Sequence, residues 1–213
     1  MKFKPYNYQR AAIQWVLGHP RCGLLLDMGL GKSVITLTAI QQLMDDCEVS
    51  KTLVVAPKKV AETTWTTEAE KWNHLQSLKV AKVLGTEKQR CAALAEKADV
   101  YVTGRDNFVW LVGKYGGQLP FDVLVIDELT SFKSSKSERF KAMRIASPSV
   151  KRVIGLTGTP ASAIRHCRRA GSRSKPGTSA TPPKGVSSMR HSLTPHSAMA
   201  STCPPSCSAI AAA

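Results

Sequence analysis

The chain has 213 residues, 43% of them apolar, which is enough for one well-cored domain plus an appendage. No run approaches the roughly 18–20 apolar residues of a membrane span, and the basic start Met1–Tyr6 lacks the apolar stretch of a secretory signal. A cytoplasmic setting, in a bacterial cell or a phage-infected host, is therefore expected. The formal net charge of +15 points to a polyanionic partner, and six cysteines without a C-x-x-C pair argue against a structural zinc site.

Taken in chain order, short apolar runs alternate with amphipathic ones. Strands are predicted at Gly23–Asp27, Thr52–Ala56, Lys79–Leu84, Asp99–Thr103, Asp122–Asp127 and Arg152–Thr157. Helices are predicted at Tyr8–Leu17, Lys32–Met44, Lys58–Trp72, Glu87–Lys97, Arg105–Val112 and Ser137–Ile145. The strand runs are rich in Val, Leu and Ile and mostly do not alternate, as in strands covered on both faces. The expected fold class is α/β, with a mostly parallel central sheet flanked by helices.

The composition changes after Ala161. All 15 acidic residues precede Ser162, and residues 162–213 contain no Phe, Trp or Tyr but eleven serines and six prolines. Such a segment buries too little apolar surface to offset its chain entropy, so an unordered basic tail is expected. The abruptness of the change fits a shifted reading frame or a natural tail that binds nucleic acid non-specifically.

Gly23–Ser33 carries the most chemistry. A buried strand enters the turn Met28-Gly29-Leu30-Gly31, and Lys32-Ser33 opens a helix. Glycines let backbone N–H groups close around phosphate oxygens, and the new helix aims its positive end at the same anion. Lys32 can reach the outer phosphates and the Ser33 hydroxyl can ligate Mg²⁺. The strict phosphate-loop pattern has a glycine where this chain has Leu26. The run Val123–Ile126 ends in Asp127-Glu128, where a parallel sheet presents ligand-facing residues. Asp127 there suits a metal ion, and Glu128 suits an attacking water.

These residues resemble the Swi/Snf-type ATPases of the superfamily 2 helicases, phage and bacterial members included. Asp27–Ser33 is similar to that group's first motif, and Tyr8-Gln9 to its adenine-reading motif. Leu53–Lys58 followed by Trp65 looks like its next motif, on the nucleic-acid side. Asp127–Thr130 stands where the DEAH-like box falls, with Thr130 in place of histidine. Gly155–Ala161 looks like the motif that couples the two sites. The resemblance covers about residues 3–161. It implies a RecA-like P-loop lobe that binds ATP and Mg²⁺, with Gln9 and Met28–Ser33 holding nucleotide. It further implies Ser33 and Asp127 toward the metal, and Lys32, Asp127 and Glu128 in hydrolysis. Thr157, Gly158 and Thr159 would couple the sites, and Pro57 and Lys58 would face nucleic acid, DNA rather than RNA. In that family a second RecA-like lobe completes the ATP cleft; none follows Ala161, so a truncated motor needing that lobe in trans is expected. The rival reading is a non-catalytic, basic nucleic-acid-binding fragment. Read without the resemblance, Gln9 fits an exposed helix position equally well, and Trp65 and Trp72 read as core.

Overall fold

The computed structural model describes residues 1–158 and the backbone of 208–211. The strands are β1 (Arg21–Leu25), β2 (Thr52–Ala56), β3 (Val80–Val83), β4 (Val100–Gly104), β5 (Val123–Asp127), β6 (Arg152–Thr157) and β7 (Ser208–Ala211). The helices are α1 (Asn7–Gly18), α2 (Lys32–Asp45), α3 (Lys58–Glu62), α4 (Thr64–Lys71), α5 (Glu87–Ala95), α6 (Arg105–Lys114) and α7 (Glu138–Ala146). The sheet order is β3-β4-β2-β5-β6-β1-β7, and every pairing is parallel. The fold is the expected helix-flanked α/β sheet of a RecA-like lobe. The expectation of an unordered tail over 162–213 lies, for 162–207 and 212–213, outside the described residues; at 208–211 the backbone instead runs as a strand beside β1.

The apolar strand runs follow from burial on both faces. In β2, Val54 and Ala56 join one core with Ile35, Ile40 and Trp65, while Leu53 and Val55 join a second core with Phe108 and Leu111. β5 divides the same way, Val123 and Val125 against Leu124 and Ile126. Both faces are buried, so the usual polar–apolar alternation disappears.

Most element bounds shift by one or two residues from expectation, and two of the differences have a visible cause. β1 begins two residues early because the Arg21 guanidinium donates to the Ser147 hydroxyl (2.6 Å) and carbonyl (3.0 Å), which holds the strand's start in register with β6. The predicted helix Lys58–Trp72 is broken at Thr63 (φ −130°, ψ −54°), whose hydroxyl bonds the Lys59 carbonyl at 3.1 Å. Four threonines among residues 63–67 supply β-branched side chains and competing hydroxyls, which weaken a helix.

At the opposite end of the sheet from the strand C-termini, Asp122 ties three segments together. Its carboxylate accepts from the Ser50 N–H (2.7 Å), the Ser50 hydroxyl (2.8 Å) and the Lys51 N–H (3.3 Å), and pairs with Lys151 at 2.9 Å. Burial alone pushes the Asp122 carboxyl up; Lys151 and the Ser50 and Lys51 donors outweigh it and hold it at about 2, below the ordinary 3.8. A depressed carboxylate stabilises the fold above its unfolded-state pKa, and that contribution fades as pH falls through the folded value. Acid titration of the wild-type chain should therefore lose stability between about pH 4 and pH 2, and Asp122→Asn should flatten that part of the profile. Chemical denaturation at stepped pH reads the difference.

Candidate functional site

Because all pairings are parallel, the strand C-termini share one edge. Along that edge the order is β4, β2, β5, β6, β1. The loop after β1 and the acidic end of β5 therefore flank β6, roughly 10 Å apart at two strand spacings.

The loop after β1 turns on two left-handed glycines. Gly29 (φ +85°) and Gly31 (φ +78°) are both left-handed, a conformation that costs other residues roughly 1–2 kcal/mol. A Cβ on Gly31 would stand 2.9 Å from Gln9 Nε2 and 3.1 Å from Val34 Cγ1, so only glycine fits. A Cβ on Gly29 would meet nothing within 4 Å, so that face of the loop is open to a ligand. Gly31 caps α2, whose first two residues are Lys32 and Ser33. The Lys32 ammonium folds over its own loop, donating to the carbonyls of Leu26 (2.8 Å) and Asp27 (2.9 Å). Leu26, where the strict pattern has glycine, is 2% exposed and donates its N–H to the Thr157 carbonyl at 3.1 Å. That position belongs to the core and the sheet, and the loop's turn needs no glycine there.

Gln9 is buried at 6% exposure, which settles its position against an exposed helix site. Its Oε1 accepts from the Tyr6 N–H (3.0 Å), and its Nε2 donates to the Leu30 carbonyl (3.4 Å), as does the Tyr8 hydroxyl (3.3 Å). α1 thus braces the glycine turn from behind. Met28 is 90% exposed at the tip of that turn.

Across β6, Asp127 ends β5 and is partly buried. Burial pushes its carboxyl above the ordinary range; the Trp65 indole and the charge of Lys32 pull it down, and Glu128 pushes it up again. Lys32 and Asp127, 95 positions apart in sequence, thus share one electrostatic environment. Glu128 adopts a left-handed backbone (φ 64°, ψ 68°) and opens a 3-10 turn over Leu129–Phe132. Its carboxylate accepts from the Thr130 hydroxyl, and its carbonyl from the Ser131 N–H (3.1 Å) and hydroxyl (2.9 Å). Leu129 lies against β6, since a Cβ on Gly155 would come within 3.1 Å of its Cδ2. A non-glycine residue held left-handed at a carboxylate with chemical potential is strain placed at a site. Glu128→Gly should raise the thermal midpoint by a few degrees, corresponding to about 1 kcal/mol, and a fall in the midpoint would show that the Thr130 bond outweighs the strain.

Thr157 is buried at the end of β6, and Gly158 follows beside Leu26 and Met28. Thr159 lies outside the described residues. Pro57 and Lys58 sit further along the edge and line a separate cleft of about 540 Å³ with Gly104, Arg105, Asn107 and Arg139. The sequence reading missed Arg105 and Arg139. Arg105 carried a signal, since it follows a strand C-terminus and opens a helix on the ligand edge; Arg139, within α7, carried none.

Glycine cradle, ammonium, hydroxyl and carboxylates all converge on one edge, and this donor set fits a triphosphate with a hard divalent cation. Residues 8–165 match the SNF2-related domain family over most of the chain. The chain belongs to that family. Within the superfamily 2 helicases, the described residues are an SNF2-type N-terminal lobe of the ATPase/helicase kind. The chain is 41% identical over 165 residues to putative protein p41 of Acyrthosiphon pisum secondary endosymbiont phage 1, covering 74% of this chain and 36% of that protein. It is 33% identical over 168 residues to the SWI/SNF-related matrix-associated actin-dependent regulator of chromatin subfamily A-like protein 1 of Xenopus tropicalis, covering 72% of this chain and 15% of that protein. The Sulfolobus solfataricus SWI2/SNF2 ATPase core, solved in complex with dsDNA, superposes with a TM-score of 0.65 at 26% identity, covering 75% of this SNF2-related chain and 33% of that one. The chain thus spans about a third or less of the length of these relatives.

Proposed function

We propose that this SNF2-related lobe binds Mg·ATP at the β1–β6–β5 edge and serves the ATPase cycle of a DNA translocase or helicase. The observation that carries the proposal is the placement of Lys32 at the head of α2 and Asp127 at the end of β5, on either side of β6 along one edge of a parallel sheet. Met28, Gly29, Leu30, Gly31, Lys32 and Ser33 hold the phosphates, with Gln9 behind them at the base. Ser33 and Asp127 face the metal ion. Bound there, the metal neutralises phosphate charge and orients the outer phosphate. Glu128 orients and deprotonates the attacking water, with Thr130 fixing one carboxylate oxygen. Thr157, Gly158 and Thr159 link the phosphate loop to the rest of the edge.

Nucleic acid is read at Pro57 and Lys58, joined by Arg105 and Arg139 in the same cleft. DNA rather than RNA is favoured by the dsDNA bound to the Sulfolobus relative and by the chromatin role in the Xenopus relative's name. A cytoplasmic site, in a bacterial cell or phage-infected host, is in keeping with the phage relative. Residues 1–161 are the ATP-binding lobe and 162–213 an added basic segment, and the other reading frames of the gene test whether a second lobe was encoded. An arginine finger supplied by a second lobe in trans would add roughly 10³–10⁵ in turnover to the slow hydrolysis expected of the first lobe by itself.

Calorimetric titration with Mg·ATP, followed by single-turnover hydrolysis with and without duplex DNA, tests the reading. Mg·ATP binding with slow turnover supports it. No nucleotide binding, with DNA binding kept, would favour the rival basic fragment.

A further inference from the structure

Trp65 stands out among the residues that the site has not absorbed. It is fully buried, and its indole nitrogen is one of the few buried polar atoms with no hydrogen-bond partner of good geometry. Orphaned buried donors are rare and call for an explanation. Packing alone would be served as well by a ring without a polar atom. The acid close enough to feel this N–H is Asp127, which follows Val125 on the Trp65 side of β5.

The route by which Trp65 reaches Asp127 is also informative. β2 ends at Ala56, Pro57 and Lys58 line the 540 Å³ cleft, and α3 runs only to Glu62, which lines it too. The break at Thr63 re-aims the chain, so α4 carries Trp65 into the core that packs against Val54, Ala56 and Val125. An unbroken helix from Lys58 would have turned residue 65 to a different face. Seven residues thus connect the floor of the cleft to a donor beside the carboxylate.

We infer that Trp65 is a positioning residue for Asp127, its indole N–H fixing the carboxylate oxygen that does not face the metal ion. The inference rests on the reading of Asp127 as the carboxylate that faces Mg²⁺. In this arrangement the indole N–H and the carboxylate close into a hydrogen bond when Mg·ATP is bound. Trp65 also ties that movement to α3 and to whatever the cleft holds. The sequence reading of Trp65 as core is kept; a second role is added to it.

The test uses the full chain labelled with ¹⁵N-tryptophan. Four indole N–H resonances are expected, from Trp15, Trp65, Trp72 and Trp110. Triple-resonance assignment identifies that of Trp65. On adding Mg·ATP, the Trp65 resonance should move downfield more than the other three, and Asp127→Asn should suppress that movement. ATP in EDTA should leave it in place. A second measurement compares affinities: Trp65→Phe should weaken Mg·ATP about tenfold, the low end of a hydrogen bond to a charged group, while ATP in EDTA binds as before. An unmoved Trp65 resonance with Mg·ATP bound would overturn the inference, as would equal weakening of Mg·ATP and metal-free ATP in Trp65→Phe. If Lys32→Ala binds ATP as tightly as the unmodified chain does, the nucleotide-site reading itself fails, whichever way Trp65 behaves. If Trp65→Phe does not fold, the resonance experiment on the unmodified chain and on Asp127→Asn decides alone.

Discussion

Lys32→Ala is expected to reduce ATP affinity on the order of 100-fold while leaving the sheet intact. Charge-assisted hydrogen bonds to phosphate are among the strongest that a side chain can make, and Lys32 is the basic residue of the first turn of α2. The Lys32 ammonium donates to the Leu26 and Asp27 carbonyls. Its removal therefore also leaves those oxygens without their donor, a cost to folding of about 1–2 kcal/mol. Calorimetric titration with ATP measures the first effect and thermal unfolding the second. DNA affinity should be unchanged, because the cleft lined by Lys58, Arg105 and Arg139 lies on the far side of β5. ATP binding that survives the substitution would remove the basis for the nucleotide site.

The second large effect is expected in folding. Phe132 is 2% exposed and closes the 3-10 turn that begins after Glu128. Its ring meets Phe108 edge-on at 6.4 Å between centroids, in the core beneath α6 and α7. Phe132→Ala removes that contact and leaves a cavity that the parallel sheet cannot fill, at a cost of about 3–5 kcal/mol. For a domain of this size the thermal midpoint should fall by about 10 °C. The same ring anchors the turn carrying Leu129 and Thr130, so Mg·ATP affinity should fall with stability. A midpoint within 2 °C of the unmodified chain, to about the precision of a scan, would mean that the turn is held by its polar bonds instead.

The skeleton of the sheet was legible in β1 to β6 because strands covered on both faces must be apolar throughout, while Ser208–Ala211, in a segment expected to be unordered, went unread. The glycine turn was legible because Gly29, Gly31, Lys32 and Ser33 fall where an apolar run gives way to a helical one, and the structure turns there on two left-handed glycines into α2. Leu26 looked like a departure from pattern and proves to be a core position paired to β6. What the sequence concealed was long-range or conformational. The break at Thr63 depends on a local contest between hydroxyls and helix bonds, which periodicity does not register. Gln9 read equally well as exposed because a lone glutamine on an amphipathic helix has no signature of burial; the Leu30 carbonyl that it reaches lies 21 residues away. The bond between Thr130 and Glu128 spans two residues, yet it requires the left-handed turn at Glu128, and nothing in the letters announces a glutamate with positive φ.

Cys22 sits in β1, buried at 4% exposure, with its thiol pushed up to about 11 by burial, against a smaller opposing pull from Arg152. A thiol in that condition is inert toward alkylating reagents while its strand stays in place. The chain therefore contains its own clock. The rate at which Cys22 yields to a slow alkylator counts how often the strand leading into the glycine turn peels from its neighbour, and a nucleotide that grips the turn should make the clock run slower.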